Sequence, residues 1–94
     1  MSNSSLLLCY DISDPKRLQK VHREAKKVGM PLQYSVFYLE MNNDEVTRLL
    51  NRLKAIIDSS QDDIRIYAIG QLSDAIYFGA IQPIEPDALL TIIQ

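Results

Sequence analysis

The unbroken apolar run Leu6 to Tyr10, closed by Asp11, constrains the fold of this chain more than any other stretch. Apolar residues without polar alternation read as a buried strand, and its last residues, delivered to a sheet edge, put a carboxylate where function often sits. Directly after it, Asp14 and Pro15 predict a helix start: the Asp side chain accepts from orphan backbone donors and Pro suits the first helical position. Gly29 predicts the stop. Between them Leu18, Val21, Ala25 and Val28 recur at helical spacing, while Lys16, Arg17, Lys20, Arg23 and Lys27 point away from that stripe.

Leu32 to Met41, preceded by Pro31, is rich in aromatic and β-branched residues and reads as extended. Asn42 to Glu45 supplies a polar, acidic helix entry, and Val46, Leu49, Leu50, Leu53, Ile56 and Ile57 follow at amphipathic spacing. The polar DSSQDD then ends the pattern and leads into IRIYAI, in which Ile64, Ile66 and Ala68 alternate with Arg65, Tyr67 and Ile69, Arg65 on the wetter face. A further run, AIYFGAI, reads as extended, Pro83 and Pro86 prevent a regular continuation, and ALLTIIQ fits either a strand or a short helix.

This order predicts an α+β fold, an antiparallel sheet with two helices on one face. A ferredoxin-like βαββαβ plan needs two strands between its helices, so the extended run must break internally, near Ser35. An extra C-terminal strand follows from the last extended run. With 94 residues and 47% apolar side chains, the chain suffices for one domain, residues 1–94, with a modest core helped by dimerisation.

A net charge of −2 excludes a molecule coated in positive charge, so any nucleic-acid contact must come from a local patch. Cys9 is the only cysteine and has no intramolecular disulfide partner, which suits a reducing cytoplasm. No stretch approaches the roughly 18 to 20 apolar residues that span a bilayer, and MSNSS lacks the charged start of a secretory signal, so we expect a soluble, unprocessed protein without membrane contact. His22 flanks the first apolar stripe with no second His and no nearby Cys, which fits boundary packing better than zinc ligation.

Three segments, LLLCYDISDPKRLQKV, QYSVF and DDIRIYAI, in this order and spacing, resemble the small CRISPR-associated family often called Cas-two, over about residues 5 to 70. The resemblance implies a ferredoxin-like homodimer in the complex that captures foreign DNA and inserts it into a CRISPR array alongside an integrase subunit. Some members resemble metal-dependent endonucleases acting on RNA or DNA; in others the protein resembles a structural bridge. Asp11 is the matching catalytic and metal-binding position, and Tyr10, Ser35 and Phe37 fall in the matching motifs as residues that shape the site.

Phosphodiester hydrolysis uses a hard divalent cation, Mg²⁺ or Mn²⁺, held by carboxylate oxygens. One carboxylate per chain makes a poor site, but a twofold axis near the first strand ends would pair two copies of Asp11. The plainer alternative for Asp11 is a turn aspartate, and for Asp14 a helix cap, which keeps Asp14 out of the catalytic set. Lys16, Arg17, Lys20, Arg23 and Lys27 offer a face for a phosphate backbone, Arg17 being close enough in sequence to Asp11 to reach the same phosphate. No Ser, Cys or His constellation supports covalent catalysis, and no glycine-rich loop suggests nucleotide binding. The alternative function is a non-catalytic regulatory or toxin-type RNA-binding domain, because this fold hosts many activities. We expect the region after about residue 80 to form a tail that packs on the partner subunit.

Overall fold

The run that opens the sequence becomes β1 (Ser4–Asp11), and the computed structural model, which describes residues 3–70, builds its sheet around it. α1 (Pro15–Val28), β2 (Met30–Gln33), β3 (Val36–Met41), α2 (Asn43–Lys54) and β4 (Asp63–Ile69) follow. The strands lie in the order β2-β3-β1-β4, all antiparallel, so β1 is flanked by the two strands farthest from it in sequence, β3 and β4. This is the α+β, ferredoxin-like arrangement expected. One detail differs: β1 is an interior strand, and Asp11 lies at the end of its ladder, not along a sheet edge.

The apolar run does not alternate because side chains on both of its faces are buried, one face under the helices and the other among strand neighbours. Leu6, Leu8 and Tyr10 join Val21 and Ala25 of α1, Phe37, Leu39 and Met41 of β3, and Leu49 and Leu53 of α2 in the main core. Leu7 faces the other way, fully buried, with Cys9, Val36, Tyr38, Tyr67 and Ile69 packed around it. Burial pushes the Cys9 thiol pKa up, against a smaller opposing pull from Arg65, so Cys9 is a packed, protonated group.

Caps set the helix limits. Asp14 accepts from the Arg17 backbone N–H at 3.0 Å with Pro15 next to it. Asn42 accepts from Glu45 N–H at 2.9 Å while Glu45 Oε1 accepts from Asn42 N–H at 3.0 Å, a reciprocal capping box. Gly29 ends α1 in extended backbone, φ −141°. Glycine is required there for space: a Cβ would run into the Leu39 side chain and sit 2.8 Å from the Tyr38 carbonyl oxygen.

The break expected near Ser35 falls at Tyr34 and Ser35, between the paired residues Gln33 and Val36. Ser35 takes φ 64°, the left-handed region, and its carbonyl accepts from Tyr10 N–H at 3.2 Å, which ties the hairpin tip to β1. The expected AIYFGAI strand, the interruption at Pro83 and Pro86, and the tail beyond residue 80 lie outside the described residues.

Candidate active site and nucleic-acid interface

Strand alternation decides what surrounds Asp11. Asp11 follows Cys9 and Leu7 on the sheet face away from both helices and is exposed. Directly across the last rung of the β1–β4 ladder stands Asp63. Such cross-strand neighbours place their Cβ atoms about 4.5–5.5 Å apart. A shallow cavity of about 230 Å³ is lined by Cys9, Tyr10, Asp11, Asp63, Arg65 and Tyr67. Arg65 Nε donates to Asp63 Oδ2 at 2.7 Å. Contacts with Tyr67 and Asp63 hold the Arg65 guanidinium pKa above its ordinary value, so it is a fixed positive charge beside the two carboxylates.

A buried clasp fixes the chain immediately behind this pair. The Asp62 side chain is fully buried and takes Arg17 Nε at 2.7 Å on Oδ2 and Arg17 Nη2 at 3.2 Å on Oδ1. Backbone N–H groups of Ser13 and Asp58 add 3.0 and 2.9 Å bonds. Arg17 first, with the Asp58 and Ser13 backbone donors helping against the burial cost, holds the Asp62 carboxyl well below the usual carboxylate range. The clasp joins the loop after β1, the first turn of α1 and the loop before β4, next to the points where β1 ends at Asp11 and β4 begins at Asp63.

Of the residues singled out in the sequence, only Asp11 lies on this helix-free face. Tyr10 and Phe37 are buried on the helix side, their rings stacked with centroids 6.3 Å apart. Burial, helped by the neighbouring Tyr34 phenol, pushes the Tyr10 hydroxyl up to about 12, and that hydroxyl lies 3.0 Å from His22 Nδ1. His22 in turn meets the Phe37 ring edge-on at 5.4 Å, the boundary packing its position suggested. Ser35 acts through its backbone at the hairpin tip.

Lys16, Lys20, Arg23 and Lys27 are exposed and, at spacings of four, three and four residues, form a straight stripe on the outer side of α1. The sheet therefore stands between them and Asp11. Arg17 departs from the group: its side chain is only 25% exposed and is committed to Asp62. Lys27 pairs with Glu24 at 2.9 Å, and Glu24 also receives Arg52 Nε of α2 at 3.2 Å.

Oxygen donors of this kind suit a hard divalent cation such as Mg²⁺ or Mn²⁺ that keeps several waters. Their number is small: among the described residues no group of three or more His, Cys, Asp or Glu could hold a metal ion. The donor chemistry of Asp11 and Asp63 fits such a cation. Sequence reasoning missed Asp63 and Arg65 as neighbours of Asp11 and Asp62 as the anchor of Arg17. The period-two pattern of DDIRIY carried the first part of that signal, since it puts Asp63, Arg65 and Tyr67 on one face.

Comparison with known proteins agrees with this architecture. The family model described as CRISPR associated protein Cas2 matches residues 4–75. The chain is 39% identical over 66 residues to the CRISPR-associated endoribonuclease Cas2 1 of Nitrosomonas europaea, covering 70% of this chain and 63% of that relative's length. It is 43% identical over 63 residues to the CRISPR-associated endoribonuclease Cas2 2 of Thermodesulfovibrio yellowstonii, covering 67% and 69%. Among solved structures, Streptococcus pyogenes Cas2 superposes with a TM-score of 0.68 at 32% identity, covering 76% of this chain and 92% of the other. A hypothetical protein from Thermus thermophilus gives a TM-score of 0.71 at 29% identity, covering 73% and 84%. With its sheet order, its first-strand aspartate and a family match over residues 4–75, the chain belongs to the Cas2 family.

Proposed function

We propose that this chain is one ferredoxin-like domain that works as a homodimeric nucleic-acid-binding protein of CRISPR adaptation in the cytoplasm, beside an integrase subunit. Its phosphodiester hydrolysis centres on Asp11 with Mg²⁺ or Mn²⁺. The observation that carries this is the exposed Asp11 carboxylate opposite Asp63 and beside the fixed cation Arg65, on the sheet face that neither helix covers. Around the buried Leu7 that face carries the half-buried side chains of Cys9, Val36, Tyr38, Tyr67 and Ile69, which offer apolar area to a second copy. Two chains meeting there bring two Asp11 side chains to a shared cation.

When bound, the metal supplies Lewis-acid polarisation of a phosphate and a water of lowered pKa. Asp11 of each protomer orients it, and Arg65 offers positive charge toward a phosphate oxygen. Asp63 keeps Arg65 in place. Lys16, Lys20, Arg23 and Lys27 serve duplex DNA or RNA as phosphate contacts without reading base sequence, while Arg17 stays committed to Asp62. Tyr10 and Phe37 support β1 from the helix side, and Ser35 does so through its carbonyl at the hairpin tip.

Asp11→Asn, assayed for cleavage, dimerisation and duplex binding together, tests this. Cleavage falls by about 100-fold or more while dimer and binding persist; retained cleavage in Asp11→Asn overturns the nuclease assignment. A non-hydrolytic bridge role is favoured by the small ligand set of the single chain. It predicts salt-sensitive duplex binding with no metal-dependent cleavage in the unmodified protein.

A further inference from the structure

The hairpin tip carries an aromatic side chain that packing does not explain. Tyr34 is 78% exposed, yet its backbone is pinned: Gln33 and Val36 pair on either side, and the Ser35 carbonyl accepts from Tyr10 N–H. A fixed backbone with a solvent-facing ring is the arrangement of a stacking platform. Beneath it lies a cleft of about 340 Å³ lined by Tyr10, Leu18, Gln19, His22 and Tyr34, a size in the range of small-ligand sites.

This cleft continues along α1. Gln19 and His22 also line a neighbouring groove of about 560 Å³ with Arg23, Lys26 and Lys27. Gln19, His22, Arg23 and Lys26 follow one another at helical spacings and share a flank of the helix. Lys26 and Arg23 have no ion-pair partner among the described residues, unlike Lys27, which is held by Glu24. An aromatic and apolar pocket with one amide at its rim, opening directly onto unpaired cations, matches a nucleotide: a flat base for the rings, hydrogen-bonding edges for Gln19, and an anionic phosphate for Arg23 and Lys26.

We infer that the cleft between Tyr34 and His22 takes one unpaired base of a single-stranded nucleic acid, with the adjoining phosphate on Arg23 and Lys26. Base-paired duplex cannot use it, because a stacked base presents no free face to Tyr34. The site rests on the nucleic-acid-binding reading above, and it stands on the far side of the sheet from Asp11. It therefore positions strands without joining the chemistry.

Fluorescence anisotropy on the full chain, with a short single-stranded DNA, the same sequence as RNA, and the matching duplex, tests it. Tyr34→Ala weakens binding of the single strands about tenfold, the scale of one lost stack, and Tyr34→Phe restores it. Duplex affinity changes less than twofold in both variants. The DNA and RNA arms tell which polymer supplies the base. Quenching of a 2-aminopurine base by the unmodified protein, lost in Tyr34→Ala, reports the stack directly. If Tyr34→Ala leaves single-strand affinity unchanged, or weakens duplex binding equally, the pocket assignment is overturned while nucleic-acid binding stands. If the unmodified protein binds none of the three, the nucleic-acid reading itself is overturned, and the pocket with it.

Discussion

Asp62 is where residue-level chemistry most strongly governs the molecule. Its pKa is lowered in the folded chain from the ordinary 3.8, chiefly by Arg17. The folded state then binds the proton less readily than the unfolded one, so the clasp contributes stability above about pH 4 and loses it as pH falls further. Thermal melts from pH 7 down to pH 2.5 will show an acid limb that is steep in the unmodified protein and flatter, from a lower plateau, in Asp62→Asn. Gly29 makes a second residue-scale case. Since the obstructing Tyr38 carbonyl is backbone and cannot rotate away, Gly29→Ala lowers stability by about 1–3 kcal/mol in urea titration. Neither outcome was legible in the sequence. Gly29 reads as a helix stop, which it is, but the spatial reason depends on β3 passing beside it. Arg17 reads as one more cation of a basic face because the carboxylate that captures it lies 45 residues away.

Elements were more legible, for a physical reason: their signals are local. Asp14 and Pro15 announce α1, and Asn42 with Glu45 announces α2, because a cap needs only residues within one turn. Replacing Asn42 by Ala removes one half of the capping box and lowers stability by about 1 kcal/mol, measurable as a shifted urea midpoint with unchanged slope. The strand break near Ser35 was also legible, because a small residue interrupts larger ones. What the local pattern withheld is strand adjacency. Nothing in DDIRIY says that β4 pairs with β1, so Asp63 was not recognised as the partner of Asp11. The same gap hid the opposed placement of the basic stripe and the carboxylate, which depends on which face of the sheet the helices cover.

At the scale of the whole molecule, that opposition separates the two proposed functions, phosphate binding and hydrolysis. Lys16 and Lys20 lie on the outer helix surface and Asp11 on the far side of the sheet. Lys16→Ala with Lys20→Ala lowers the slope of log affinity against log salt by about 1.8 for duplex DNA. Metal-dependent cleavage per bound complex stays as before, and combining both changes with Asp11→Asn gives additive losses. Filter binding across a salt series, paired with single-turnover cleavage, checks both halves; a strong interaction between the two sets of changes would place them at one contact.

The sheet order also bears on how the chain is made. Of the described strands, the one synthesised first is an interior one, and its second neighbour is not synthesised until residues 63–69. Throughout that interval β1 has one unsatisfied row of backbone donors and acceptors beside its greasiest residues, the condition under which nascent chains stick to one another. Slow translation at any point before β4 has emerged should therefore raise the aggregated fraction.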